Sequence, residues 1–324
     1  MAKHKVVVTD HVFPNLDPEK KVLEPLGVEL LGGQCQSLEE IISLSKDASA
    51  ILNCYFKPIG EEIFQTCSRL KAVVRYGIGV DTIDIPAATR HGIMVANVPD
   101  YCQEEVADHT TALLLALARK IVRANNKVKG GEWDLSYLKP MIRLKRQTVG
   151  FVGFGRIARL VAHRVASFGM SLIFYDPYIQ ENVIDNANKV TLEEVLTQSD
   201  FVLIHTPETE ETRHLLNKER FALMKQTACI LNTARGGIIE TAALIESLQT
   251  GRLAGAALDV IEGIPPITPD HPLCQMDNVI LTPHTAFYSE DSMIDLQVKA
   301  AQEVARVLSG DKPHSLLNPE VLER

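Results

Sequence analysis

Thr148-Val149-Gly150-Phe151-Val152-Gly153-Phe154-Gly155-Arg156-Ile157-Ala158-Arg159-Leu160-Val161-Ala162 is the stretch whose reading settles the architecture. Its first five residues form a short β-favouring run, and from Arg156 apolar residues recur at helical spacing. Two glycines stand at the junction. The first permits a tight turn, the second lets a pyrophosphate approach the backbone, and Ala158 is small where helix and sheet must touch. The helix start then offers unpaired N–H groups to that anion. Gly153, Gly155, Arg156 and Ile157 are therefore expected at a dinucleotide phosphate. Twenty-three residues after Gly153, at the end of the next run, comes Asp176. A carboxylate there accepts hydrogen bonds from ribose hydroxyls. It would repel a 2′-phosphate, and Pro177 rather than an arginine follows, so NAD is expected over NADP. The plainer alternative is a strand–turn–helix without a ligand; the placement of Asp176 argues against it.

Short β-rich runs alternate with helical segments on both sides of this stretch. Residues 5–9, 28–31, 50–54, 72–75 and 93–96 read as strands, with helices over 38–44 and 61–67. A long helix is expected over 103–118, with Glu104 and Glu105 near its positive end. Further strands are expected at 171–175, 201–205, 229–232, 254–258 and 279–281. Thr191 and Glu194 have the spacing of a capping box. Helices are expected over 241–250 and 291–308. Several strands are continuous apolar runs, as when both faces of a sheet are covered. This alternation implies βαβ units and parallel sheets.

At 324 residues, length suggests two domains. Hydrophobic residues make up 46% and charged residues 23%, which allows a full core. The net charge of −8 argues against nonspecific nucleic-acid binding, which rests on basic side chains. No apolar run approaches the roughly 20 residues of a membrane helix. The opening residues read as a strand rather than a secretory leader. Cys35, Cys54, Cys67, Cys102, Cys229 and Cys274 are scattered without a C-x-x-C pair, so neither metal nor disulfide is expected. Thiols in a reducing cytoplasm are the simplest reading.

The motifs together resemble the D-isomer-specific 2-hydroxyacid dehydrogenase family over residues 72–318. They are Gly77-Ile78-Gly79-Val80-Asp81, the glycine loop, Asp176, His205-Thr206-Pro207, Asn232-Thr233-Ala234-Arg235-Gly236, Ala257-Leu258-Asp259-Val260 and Thr282-Pro283-His284. Within the family, the segments at 174–178 and 284–290 look like the branch of C-terminal binding proteins and phosphoglycerate dehydrogenase-like enzymes. The resemblance implies a two-lobed α/β chain. A Rossmann dinucleotide-binding domain would cover 101–285, and a flavodoxin-like substrate domain would combine 1–100 with 286–324. It implies hydride transfer between NAD and a small 2-hydroxy or 2-oxo acid, and a homodimer paired through the cofactor lobe.

On that resemblance, Arg235 would bind the substrate carboxylate, as a planar guanidinium does bidentately. His284 would give the proton to the carbonyl oxygen, since imidazole titrates near neutrality. Tyr76, Gly77 and Ile78 would border the acid, the glycines through a backbone anion nest. His205, Thr206, Pro207, Thr212, Thr233, Ala234, Asp259 and His284 would line the cofactor, with Asp259 on the nicotinamide carboxamide. The pocket wall would draw on 53–56, 99–102 and Phe287. The chain departs from the family at one point. Where relatives carry a glutamate before a proline, the loop reads Asp259-Val260-Ile261-Glu262-Gly263-Ile264-Pro265. Isoleucine cannot stabilise an imidazolium. Four readings follow: Glu262 stands in; the enzyme is slower or acid-shifted; the chain is a dinucleotide-dependent sensor or corepressor-like module; or, least of these, its chemistry needs no proton transfer, as in formate dehydrogenases.

Overall fold

The computed structural model describes residues 4–55, 59–179, 187–264 and 267–323. The chain divides into two compact units, Met1–Cys102 with Ser289–Arg324, and Gln103–Tyr288.

The first unit opens with β1 (His4–Val8), α1 (Asp17–Leu23), β2 (Val28–Gly32), α2 (Leu38–Ser45), β3 (Ala50–Asn53), α3 (Glu61–Thr66), β4 (Ala72–Arg75), α4 (Ile85–Arg90) and β5 (Met94–Ala96). Its sheet runs β2-β1-β3-β4-β5, all parallel, which is the flavodoxin order. Ile41, Ile51, Ile63, Phe64, Val73 and Val95 fill one core, where strand residues meet α2, α3 and α4. Ser37 and Asp84 cap α2 and α4 with their own side chains, accepting from Glu40 N and Ala87 N.

The second unit begins with α5 (Gln103–Ala118) and α6 (Ile121–Lys129), then β6 (Thr148–Val152), α7 (Arg156–Ala166), β7 (Ser171–Tyr175), β8 (Ala187–Lys189), α8 (Leu192–Gln198) and β9 (Phe201–Ile204). It continues through α9 (Lys218–Leu223), β10 (Cys229–Asn232), α10 (Thr241–Gln249), β11 (Gly255–Leu258) and β12 (Val279–Leu281). The seven-stranded parallel sheet runs β12-β11-β10-β9-β6-β7-β8. Alternate strand residues feed two cores. Val202, Ile204, Ile230 and Leu258 meet Val195, Leu196, Phe221 and Leu244 on one face. Phe151, Leu203, Leu231 and Ala257 meet Leu113, Leu114, Ala158 and Val161 on the other. Both faces are covered, which is why these strands read as unbroken apolar runs.

The chain then returns through α11 (Glu290–Leu308) to the first unit, where it packs against α1 and β4. The tail is fastened to β5 by Asn318, whose Oδ1 accepts from Val95 N at 2.9 Å. β6 to β7 and β6 to β9 proceed in opposite directions from the same strand. That reversal is the topological switch point, where open α/β sheets bind ligands beyond the strands' carboxyl ends.

Candidate active site

The glycine loop lies at this switch point. Gly153 has φ +86°, and a Cβ there would sit 2.6 Å from the His205 carbonyl oxygen and 2.9 Å from Thr206 N. The turns after β6 and β9 therefore touch through backbone, and only glycine fits. At Gly155 a Cβ would meet nothing within 4 Å among the described residues. This open space lies over the start of the eleven-residue α7, whose N-cap makes no side-chain hydrogen bond. An uncapped helix start beside a glycine with room over it fits a pyrophosphate. Asp176 accepts from Phe154 N at 2.8 Å through Oδ2 and from Tyr178 N at 2.9 Å through Oδ1, tying β7 to the glycine loop. A carboxylate oxygen has a second lone pair, so ribose hydroxyls can still be received.

His205 follows β9. Its Nε2 is shut off from solvent with no hydrogen-bond partner among the described residues, and burial pushes the ring's pKa down to about 4. It is neutral at ordinary pH. Thr206 is half-buried and Pro207 exposed. The Thr212 hydroxyl donates to Pro207 O at 2.6 Å and closes the 207–212 turn.

Arg235, Asp259 and His284 follow β10, β11 and β12 in turn, at one edge of the sheet. Buried Asn232 shapes the first turn: its Nδ2 donates to Arg235 O at 2.8 Å and its Oδ1 accepts from Ala234 N at 3.0 Å. Arg235 Nη1 donates to Ala234 O at 2.8 Å. A Cβ on Gly236 would lie 2.4 Å from the Ile261 carbonyl carbon, and one on Gly237 2.2 Å from Glu208 Oε1. Asp259 is buried, and its carboxylate accepts from Thr282 Oγ1 at 2.5 Å, Thr285 N at 2.9 Å and Ala286 N at 3.0 Å. Asp259 O also accepts from His284 N at 2.9 Å. His284 itself is exposed and has φ +53°. That left-handed conformation costs a non-glycine residue about 1–2 kcal/mol, which the bonds to Asp259 offset. The Phe287 ring stands edge-on to the imidazole at 5.8 Å. Since β11 alone separates β10 from β12, the two carrier strands lie about 10 Å apart.

Several sequence expectations need correction. Glu262 does not turn to His284: its Oε1 accepts from Arg213 Nη2 at 3.0 Å and pairs with His214 Nε2 at 2.6 Å. Tyr76 is fully buried, with its hydroxyl donating to Glu19 at 2.8 Å and its ring against Phe13, so its phenol belongs to the core. The Gly77 N–H donates to Arg75 O at 3.0 Å and is not aimed outward. Phe56 and Pro265 lie outside the described residues.

Two features were missed. Arg75, ending β4, lies over Gly77: a Cβ there, at φ +139°, would fall 1.4 Å from Arg75 Nη1. Among the described residues its buried Nε has no hydrogen-bond partner, and its guanidinium is 5.9 Å from the Tyr55 ring centre. A cation therefore faces the Gly77–Ile78 turn. The sequence signal was an arginine at a strand end directly before the glycine motif. His109 and Thr110, on α5, contact Thr282 and Thr233, and no local periodicity marks them.

Residues 111–286 match the family model for the D-isomer specific 2-hydroxyacid dehydrogenase NAD binding domain. A glyoxylate reductase of Thermofilum pendens is 40% identical over 89% of this chain and 86% of its own length. A D-3-phosphoglycerate dehydrogenase of Methanocaldococcus jannaschii is 38% identical over 97% of this chain and 59% of its own length, so this chain spans little more than half of that relative. Among solved structures, a protein from Thermus thermophilus superposes with a TM-score of 0.87 at 33% identity, covering 97% of this chain and 99% of its own. D-lactate dehydrogenase from Aquifex aeolicus, complexed with NAD and lactic acid, superposes with a TM-score of 0.85 at 29% identity, covering 94% and 96%. This chain belongs to the D-isomer-specific 2-hydroxyacid dehydrogenase family, NAD-dependent oxidoreductases acting on CH–OH groups.

Proposed function

We propose that the chain interconverts a small 2-oxo acid and its D-2-hydroxy acid, with His284 as proton donor in reduction and Arg235 as the carboxylate clamp. The observation that carries this reading is the arrangement beyond β10, β11 and β12. A guanidinium and an exposed imidazole leave the same sheet edge two strands apart, with buried Asp259 holding the turn between them. Gly153, Gly155 and the uncapped start of α7 would hold the pyrophosphate, and Asp176 the ribose. When bound, the reduced nicotinamide supplies hydride to the oxo carbon. Arg235 fixes the acid bidentately and polarises the neighbouring carbonyl. His284 hands its proton to the oxygen as charge develops there. In the first unit, Arg75 lies beside Gly77 and puts a positive charge at that turn. The relative named glyoxylate reductase favours a short acid.

To test this, purified protein is mixed with NADH and a panel of 2-oxo acids at acidic and neutral pH. Loss of NADH absorbance with at least one acid is expected; none with any acid at any pH would sink the reading. The second reading, a dinucleotide-dependent sensor, rests on Ile264 and predicts tight NADH binding without turnover. We further propose a homodimer, supported by apolar side chains exposed over 121–142, Trp133 (89%) and Leu135 (66%) foremost. Sedimentation at the mass of one chain would overturn it. A cytoplasmic location is in keeping with six cysteines that are thiols rather than disulfides.

A further inference from the structure

We propose that His109 is a positioning residue for His284, acting through Thr282 and Asp259. The proposal rests on the reading of His284 as proton donor.

The hydrogen-bond directions follow from what each group can give. The Asp259 carboxylate only accepts. Thr282 Oγ1, 2.5 Å from Asp259 Oδ1, must donate its single proton there. No proton remains on Thr282 for His109, whose Nε2 lies 3.0 Å from the same oxygen. His109 Nε2 is therefore the donor, which fixes which ring nitrogen carries hydrogen. A directed chain runs from His109 through Thr282 to Asp259, and it begins on α5, 173 residues before Thr282.

This chain acts on the rotation of one carboxylate. Asp259 holds Thr285 N through Oδ1 and Ala286 N through Oδ2. Those amides directly follow His284 and keep its backbone left-handed at φ +53°. If the carboxylate turns, both grips fail together. The adjacent residue of α5 reaches the neighbouring loop by the same logic. Thr110 Oγ1 donates to Val106 O at 2.7 Å, so in its 2.8 Å contact with Thr233 it must accept. Two consecutive residues of α5 thus brace the turn bearing His284 and the segment leading to Arg235.

The test uses the full chain and four variants. His109→Leu and Thr282→Val each remove a link; His109→Gln and Thr282→Ser each keep a donor or a hydroxyl. Hydrogen exchange in a peptide covering 279–288, measured without cofactor, is expected to quicken about ten-fold in the Leu and Val variants. Exchange over 148–176 stays as in the wild type, and the Gln and Ser variants restore the slow rate. With NADH and an accepted 2-oxo acid, kcat falls about ten-fold in the Leu and Val variants, while the acid's KM and the NADH Kd move less than about two-fold. Wild-type exchange in both variants, or quick exchange with unchanged kcat, overturns the proposal. If Thr282→Val loses its melting transition, His109→Leu, on a partly exposed helix face, decides. A wild type that turns over none of the acids counts against the His284 reading alone, and the exchange result then judges the brace by itself.

Discussion

Beyond β1 and β3 in the first unit, Asp10 commits its carboxylate to the Thr9 hydroxyl, the Asn53 amide and the backbone N–H groups of Cys54 and Tyr55. Beyond β6 in the second, the start of α7 has no side-chain cap, and a Cβ on Gly155 would meet none of the described residues within 4 Å. Both are carboxyl-terminal edges of parallel sheets, where ligands gather. At these two points they differ in whether a side chain satisfies the backbone donors. In the first unit Ser37 and Asp84 cap α2 and α4 while α1 and α3 start without a side-chain cap, and the buried Arg75 Nε has no hydrogen-bond partner among the described residues. In the second unit Thr191 and Asn217 cap α8 and α9, whereas the start of α7 leaves its backbone N–H groups without a side-chain cap, suited to a phosphate. Architecture supplies the edge, and local capping decides which ligand it suits.

The largest effects should fall on the second unit's edge. With His284 as the proposed proton donor, His284→Gln is expected to lower kcat about 10³-fold, the usual loss on removing a general acid. Arg235→Lys keeps the charge but loses the fork, and kcat/KM should drop about 10²-fold. Steady-state NADH oxidation checks both. A His284 variant with wild-type rates would mean that this edge is not the reacting one.

The two glycines sharpen the contrast between filled and empty backbone. Gly153→Ala forces a methyl into the His205 carbonyl, and should cost about 2 kcal/mol of stability in urea unfolding. Gly155→Ala adds a methyl where there is room, so stability should change by less than about 0.5 kcal/mol. If Gly155 lines the phosphate cradle as proposed, however, the methyl intrudes there and NADH should bind about ten-fold more weakly by titration calorimetry. Equal effects of the two substitutions on stability would contradict the assignment of an open cradle.

His205 gives a pH-dependent test. Burial holds its folded pKa at about 4, below the ordinary 6.5. As pH falls through this window the unfolded chain takes up the proton first, so stability declines from pH 6.5 toward 4 and levels off below. His205→Gln should remove about 2 kcal/mol of that decline, after discounting for solvent near the partly exposed residue. Superimposable acid limbs for the two proteins would show that the ring is not shielded.

The sequence made the glycine loop, Asp176 and the strands at 72–75, 148–152, 171–175, 229–232 and 279–281 legible, because each is set by a local period or by punctuation within a few residues. It did not reveal the partner of Glu262, since Arg213 and His214 lie 49 and 48 residues away. Tyr76 read as a pocket aromatic because nothing nearby shows that Glu19, 57 residues earlier, receives its hydroxyl. α6 was hidden by its polar composition, and β8 is a three-residue edge strand with little pattern of its own. Contacts that close over long separations are set by topology, and a one-dimensional period carries no trace of them.

The smallest expected effect concerns Ile264, and it bears on whether the second unit's edge is complete. Glu262 is held by Arg213 and His214, so it is not the stand-in carboxylate that its position suggested. If the position before Pro265 has the role that the family resemblance implies, Ile264→Glu places a carboxylate beside the imidazole and favours its charged form. The acid form of His284 would then persist to higher pH. Reduction at neutral pH should rise a few-fold, and its alkaline limb should move up by about one pH unit, the shift expected from one nearby opposite charge. Oxidation, which needs the neutral ring, should move the other way at the same pH. A parallel rise in both directions would point to a general gain in folding or cofactor binding. An unchanged profile in both would mean that the proton is already held by another group, and the edge would need no carboxylate at 264.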